Sequence, residues 1–413
     1  MAVEESELSG VDYDPFTTET MADPYPDLER LLERCPVHHH APSGLYTVTR
    51  WDDVSDMAME PRVYSSALGV GPEDVIPELR VMVQADEPAH GVQRRVVSKY
   101  YAPRRIEAFY PRLIEICHEL IDEFADRGWC EFVDEFAYAY PIRIVSELLG
   151  WHPTKEQVRD LKDWQMDVLR MLAGQEDAVA TGYVAFGNFT NYVFGYVEAR
   201  KAEIARGDDV PDDPITALLT AEIDGRPFTD MEILGIVQQL LNHETTASMF
   251  LHGLYLLLTH PEELDKLRAN PDLIDSAVEE ILRFRAPVTG LCRTTTTDVE
   301  VQGVPIPEGS KVRLMFAAAN HDPSHWDEPS RFRIDRDLNE VRRHLTFGLG
   351  IHACLGAQVA RMEARTGFLA LLDRLPNLRF DPEHPAELED QFWIVNSWRT
   401  MRLCWDLPAR PGR

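Results

Sequence analysis

The stretch Phe347-Gly348-Leu349-Gly350-Ile351-His352-Ala353-Cys354-Leu355-Gly356 decides the fold. Its glycines at 348 and 350 allow the backbone a tight turn just before the cysteine. An apolar helix is predicted to start directly behind Cys354 and to run over 355–374. A sulfur at a helix N-terminus meets unpaired N–H groups and the positive end of the helix dipole. Those donors favour thiolate over thiol and predict a lowered pKa for Cys354. A thiolate held this way is a good permanent ligand for iron. On its own, a single cysteine is more often a small buried apolar side chain. No second cysteine lies nearby to make a zinc pair. The third glycine of a dinucleotide-binding fingerprint is also missing.

Two further stretches lie upstream. In Glu280-Ile281-Leu282-Arg283, acid and base at i, i+3 share one side of a helix, as many surface ion pairs do. Thr229 and Glu232 form a capping box that opens a long apolar helix, predicted to run unbroken to Thr259 before His260-Pro261. At ~1.5 Å per residue it would span ~45 Å and cross the whole domain. Its midpoint reads Asn242-His243-Glu244-Thr245-Thr246. An acid buried there is costly unless paired or hydrated, so it serves either a satisfied structural network or chemistry.

The rest of the 413 residues sets the context. Apolar residues make up 44 % and charged residues 27 %, which excludes disorder as the main state. A formal net charge of −29 disfavours nucleic acid and anionic membranes as partners. No run of about 18 apolar residues is present, and the first basic residue is Arg30, so neither a spanning helix nor a basic leader is expected. Six cysteines without a CxxC fit reduced thiols and a cytoplasmic location. Residues 1–25 read as an extended arm, and 62–84 as a long loop of the kind that binds ligands. Residues 88–290 read as mostly helical, and Thr294–Val301 and Lys311–Phe316 as strands. Short strands are expected near Leu378–Phe380 and Arg399–Trp405. The fold class is mainly α (α+β), one domain over 1–413 with small sheets at its edge.

Together these motifs resemble the cytochrome P450 family, in its soluble bacterial form. The cysteine stretch matches the family signature at Phe347, Gly348, Gly350, His352, Cys354 and Gly356. Glu280 and Arg283 match its Glu-x-x-Arg, and Glu244-Thr245 its acid-alcohol pair. His90 and Arg94 after Asp86-Glu87-Pro88, and Arg293, resemble its haem-propionate residues. Ala319–Pro323 and Phe332–Arg336 resemble the run toward the haem loop.

The resemblance implies a triangular helical domain holding haem b. Cys354 would ligate the iron. Phe347 and Gly356 would shape the cofactor loop, and His90, Arg94, Arg293 and His352 would bind propionates. Glu280 and Arg283 would be structural. Thr245 and Glu244 would deliver protons to O2 during hydroxylation of a substrate. The family usually has glycine where this chain has Asn242, so the oxygen groove departs from the pattern there. Pocket positions by resemblance are Leu241, Asn242, Val288, Thr289 and Val395, with the loop Leu68–Leu79. The implied substrate is a medium-sized hydrophobic molecule such as a terpenoid, fatty acid or steroid.

Electrons would come from a separate iron–sulfur ferredoxin with its NAD(P)H ferredoxin reductase, the enzyme acting as a monomer. Two basic islands would steer the ferredoxin: residues 94–112, with Arg94, Arg95, Lys99, Arg104, Arg105 and Arg112 against Glu107, and residues 331–365. The alternatives are a peroxygenase using hydrogen peroxide directly and a non-catalytic haem sensor. His38-His39-His40 reads as a solvated polar stretch before a metal site.

Overall fold

The computed structural model describes residues 11–172, 176–223 and 225–407. Helices dominate from Ala89 to Phe284, and the cysteine helix Ala357–Arg374 returns into their midst. In Pro103–Asp122, Pro103 sits in the first turn, where its missing N–H costs nothing. Ile106, Leu113, Ile116, Cys117, Leu120 and Ile121 then line one buried face at helical spacing. This face meets the cysteine helix, which also packs on Glu244–Thr259 and on Ile274–Phe284.

Two glycines set how closely the central helices approach. A Cβ on Gly253 would stand 2.2 Å from the Phe368 ring, and one on Gly367 would stand 2.4 Å from the Phe250 ring. Each helix thus drops a phenylalanine onto the other's glycine, and the two rings lie 5.1 Å apart. A methyl group at either position would overpack this junction.

A five-stranded sheet flanks the helices in the order Val37–His40, Leu45–Val48, Lys311–Leu314, Leu291–Thr295, Tyr64–Ser65. Lys311–Leu314 runs parallel to Leu45–Val48 and antiparallel to Leu291–Thr295. The hairpin Val299–Val301/Val304–Ile306 turns at Gln302-Gly303, both with positive φ. Among the described residues, no helix is long and apolar enough to cross a membrane.

Four expectations are corrected. The arm is not extended throughout: Thr18–Ala22 is a short helix, capped by the Thr17 hydroxyl, which accepts the Thr20 N–H at 3.1 Å. The stretch 62–84 contributes an edge strand and two short 3-10 turns, Pro77–Leu79 and Met82–Gln84. Strand Thr294–Val301 divides into two strands, Lys311–Phe316 ends at Leu314, and Arg399–Trp405 divides at Met401. The long helix is broken into Asp230–Leu240 and Glu244–Thr259. At the break, the Glu244 carboxylate takes the His243 N–H at 3.0 Å, and the His243 ring closes on the Leu241 carbonyl at 3.0 Å. Side chains have replaced backbone as partners, which stops the ladder without proline or glycine.

Candidate active site

The site begins with the loop before the cysteine helix. Gly348 and Gly350 take φ of +66° and +68°. A Cβ on Gly350 would meet the Ala58 carbonyl oxygen at 2.6 Å, so the loop requires glycine there on two counts. The Cys354 N–H closes the loop on the Phe347 carbonyl at 2.7 Å. Gly356 is the N-cap of the helix that follows.

The Cys354 sulfur faces the helix start, within reach of the Gly356 and Ala357 N–H groups. Burial by the surrounding protein nevertheless pushes its pKa up. The N–H groups of Gly356 and Ala357 and the charges of Arg94 and Arg361 pull it down without prevailing. The expected lowering by the helix end alone is therefore corrected: desolvation is the larger effect. A lasting thiolate here needs one more positive partner, which a metal ion supplies.

Beside this loop lies a cluster of bases. The His90 and His352 rings sit 4.4 Å apart, and His90 Nδ1 and both His352 nitrogens are buried without hydrogen-bond partners. Burial, joined by the charges of Arg293, His90 and Arg94, pushes His352 down to about 3. Arg293 is 5 % exposed and donates only to its neighbour's carbonyl, Cys292 O, at 2.8 Å. Arg94 donates to Ala353 O at 2.6 Å. Glu87, half-exposed, stands 3.5 Å from His90 Nδ1 and opposes, without overcoming, the lowering of that ring's pKa by burial. Two arginines beside two histidines whose buried ring nitrogens lack hydrogen-bond partners fit a ligand carrying carboxylates, as haem does.

Behind the loop, Glu280 and Arg283 are both fully buried, so the surface-pair alternative is overturned. Arg283 bonds Glu280 twice, at 2.6 and 2.9 Å, and donates to the carbonyls of Asn320 and Pro329. Glu280 also accepts from Arg336 and from the Arg333 N–H, each at 3.0 Å. These bonds tie the helix Ile274–Phe284 to the segment leading into the cysteine loop.

The helix break carries the acid-alcohol pair. Glu244 is buried, Thr245 half-buried and Asn242 exposed, while Leu241 is fully buried. Val288 is half-buried and bridges to Val395. Thr289 is buried: its hydroxyl donates to the Ile394 carbonyl at 3.2 Å and accepts from Arg313 at 2.8 Å. Both Thr289 and Val395 line a small cleft beneath the N-terminal arm. In each pair it is the neighbour, Val288 or Ile394, that keeps partial exposure.

This chain matches the cytochrome P450 family model over residues 180–398. It is 33 % identical over 350 residues to the Steroid C26-monooxygenase of Mycolicibacterium smegmatis, covering 84 % of each chain. It is 34 % identical over 409 residues to the cytochrome P450 monooxygenase PikC of Streptomyces venezuelae, covering 95 % of this chain and 93 % of that one. The chain belongs to the cytochrome P450 family. The crystal structure of CYP109E1 from Bacillus megaterium in complex with testosterone matches this P450 with a TM-score of 0.83 at 26 % identity. That match covers 95 % of this chain and all of the other. This P450 is a haem-thiolate monooxygenase, acting on a small molecule with O2 and electrons from redox partners.

Sequence reasoning missed two neighbours of the P450 cysteine. The Tyr101 hydroxyl is buried without a partner, and burial, with the Cys354 charge, pushes its pKa up. Arg361 stacks 4.5 Å over the Phe347 ring and holds Glu279 at 2.6 Å. Burial would raise the Glu279 carboxyl, but His344 and Arg361 overcome it and hold it at about 2. Only the adjacency of Glu279 to Glu280 marks it in sequence.

The basic islands are smaller than the sequence count implies. Lys99 and Arg105 pair with Asp212, and Arg112 with Glu115, Glu119 and Glu147. In 331–365, every arginine except Arg343 pairs with a carboxylate. The acids that neutralise these islands lie mostly outside the sequence windows. Arg95 and Arg104 are exposed and form no ion pair among the described residues. His38-His39-His40 lies in a strand, and no three metal-ligating side chains converge among the described residues.

Proposed function

We propose that this P450 hydroxylates a medium-sized hydrophobic molecule, with a steroid favoured over a terpenoid or fatty acid. Its electrons come from a separate iron–sulfur ferredoxin and an NAD(P)H ferredoxin reductase. It works as a cytoplasmic monomer carrying haem b. The observation that carries this reading is the cluster of His90, Arg94, Arg293 and His352 beside Cys354, in which two cations flank histidine ring nitrogens that are buried without partners. The steroid preference draws on the similarity to a Steroid C26-monooxygenase and to a testosterone-bound relative.

When bound, haem supplies the metal that activates O2. The chain does the rest. Cys354 Sγ anchors the group from the side of the helix Ala357–Arg374, and the four bases orient it through its carboxylates. Phe347 and Gly356 shape the loop around the sulfur. Thr245 Oγ1 donates a hydrogen bond to the oxygen substrate, and the Glu244 carboxyl passes protons toward it. Asn242 presents its amide where a smaller residue would leave space, and hydrogen-bonds a polar group of the substrate. Leu241, Val288, Thr289 and Val395 set the apolar wall and its backing.

The ferredoxin docks on the face around Arg95 and Arg104. Turnover of a steroid is expected with ferredoxin, reductase and NAD(P)H, and to be slight with hydrogen peroxide alone. Neutralising Arg95 and Arg104 together is expected to lower the ferredoxin-driven rate about tenfold at low ionic strength and to flatten its salt dependence. Peroxide turnover equal to the ferredoxin-driven rate would instead favour a peroxygenase.

A further inference from the structure

Arg313 is a charge without a counter-charge. It lies on the strand Lys311–Leu314, is 2 % exposed, and pairs with no carboxylate among the described residues. Its guanidinium stacks 3.8 Å from the Trp393 ring centre. One terminal nitrogen donates to Thr289 Oγ1 and to the Trp393 carbonyl, each at 2.8 Å. Its Nε–H is buried and unpartnered. The Tyr13 hydroxyl, from the N-terminal arm, is buried within hydrogen-bonding range of the guanidinium and has no acceptor for its own O–H among the described residues. Both residues line one small cleft with Thr20, Met21, Thr289 and Trp393.

Stacking and two neutral acceptors offset part of the cost of burying a guanidinium, but leave its charge uncompensated. A water molecule could take the two spare donors but not the charge. A small monovalent anion does both. Bulky anions do not fit, because the enclosed space is of about the size of one water. The nearest acids, Asp14 and Asp27, act on Tyr13 from further out, and Asp27 is engaged by Arg30 and by the Thr20 hydroxyl.

We propose that Arg313 Nε–H and the Tyr13 O–H hold a small monovalent anion, chloride under ordinary conditions, which fastens the N-terminal arm to the segment Phe392–Val395. That segment bridges Val288 through Val395, so the anion steadies one wall next to the substrate pocket. The site is independent of the reaction assigned above.

The test uses the full-length holoprotein. Its thermal midpoint is compared in sodium chloride and in sodium gluconate at equal ionic strength. Chloride at about ten times its Kd is expected to raise the midpoint by about 2 °C. The rise should vanish in Tyr13→Phe, which keeps the charge and the ring, and in Arg313→Gln if that variant folds. Crystals grown in bromide should show an anomalous peak within hydrogen-bond reach of Arg313 Nε. Equal midpoints in the two salts, a chloride effect that survives Tyr13→Phe, or a cleft with no anomalous peak would each overturn the site.

Discussion

Replacing Arg283 with methionine is expected to destabilise the protein by about 3–5 kcal/mol, the largest stability loss of any substitution considered. Methionine keeps much of the volume but removes every donor. Glu280 would then remain fully buried with Arg336 and one backbone N–H as its remaining partners. The carbonyls of Asn320 and Pro329 would lose their donor as well. Adding Glu280→Gln to Arg283→Met should cost less than the sum of the two single changes, because the first has already removed the shared bond. Urea unfolding of the single and double variants measures both quantities. A loss below about 1 kcal/mol for Arg283→Met would mean that the pair behaves as a surface pair does.

Thr245→Ala is expected to have the largest effect on chemistry with little effect on the fold. The Thr245 hydroxyl makes no hydrogen bond among the described residues, so its removal leaves no buried partner stranded. Glu244 next to it is held separately, through the His243 N–H. The variant should bind haem and substrate normally, and consume NAD(P)H at a similar rate. Product formed per NAD(P)H should fall by about tenfold or more, with hydrogen peroxide accounting for the missing electrons. Simultaneous measurement of NAD(P)H, product and peroxide decides the matter. Unchanged coupling would remove Thr245 from the proton path.

The cysteine loop was legible because its demands are local. Two glycines at positive φ, a cysteine and a helix start follow one another in the chain, and the close approach to Ala58 only reinforces what the turn already needs. The capping box at Thr229 and the proline-led start of Pro103–Asp122 were readable for the same reason. The break at 241–243 was not. The apolar run continues across it, and its cause is a buried acid folding back on its own backbone. Depth was equally hidden. The i, i+3 spacing of Glu280 and Arg283 is the same in the core as on a surface, and packing alone puts them at zero exposure. Burial also reverses the direction expected for the Cys354 thiol. The charge islands failed through distance in sequence, since Asp212, Glu147 and Glu279 reach their arginines from other parts of the chain. Arg313 and Tyr13, some 300 residues apart in the chain, gave no sequence signal of their meeting.

All of this rests on the Cys354 sulfur being bound to the haem iron. The most direct test is the absorption spectrum of the reduced protein under carbon monoxide. The wild-type protein is expected to show the strongly red-shifted band of a thiolate-ligated haem, and Cys354→Ala is expected to lose it. A wild-type spectrum without that band, or a Cys354→Ala spectrum that retains it, would contradict the assignment.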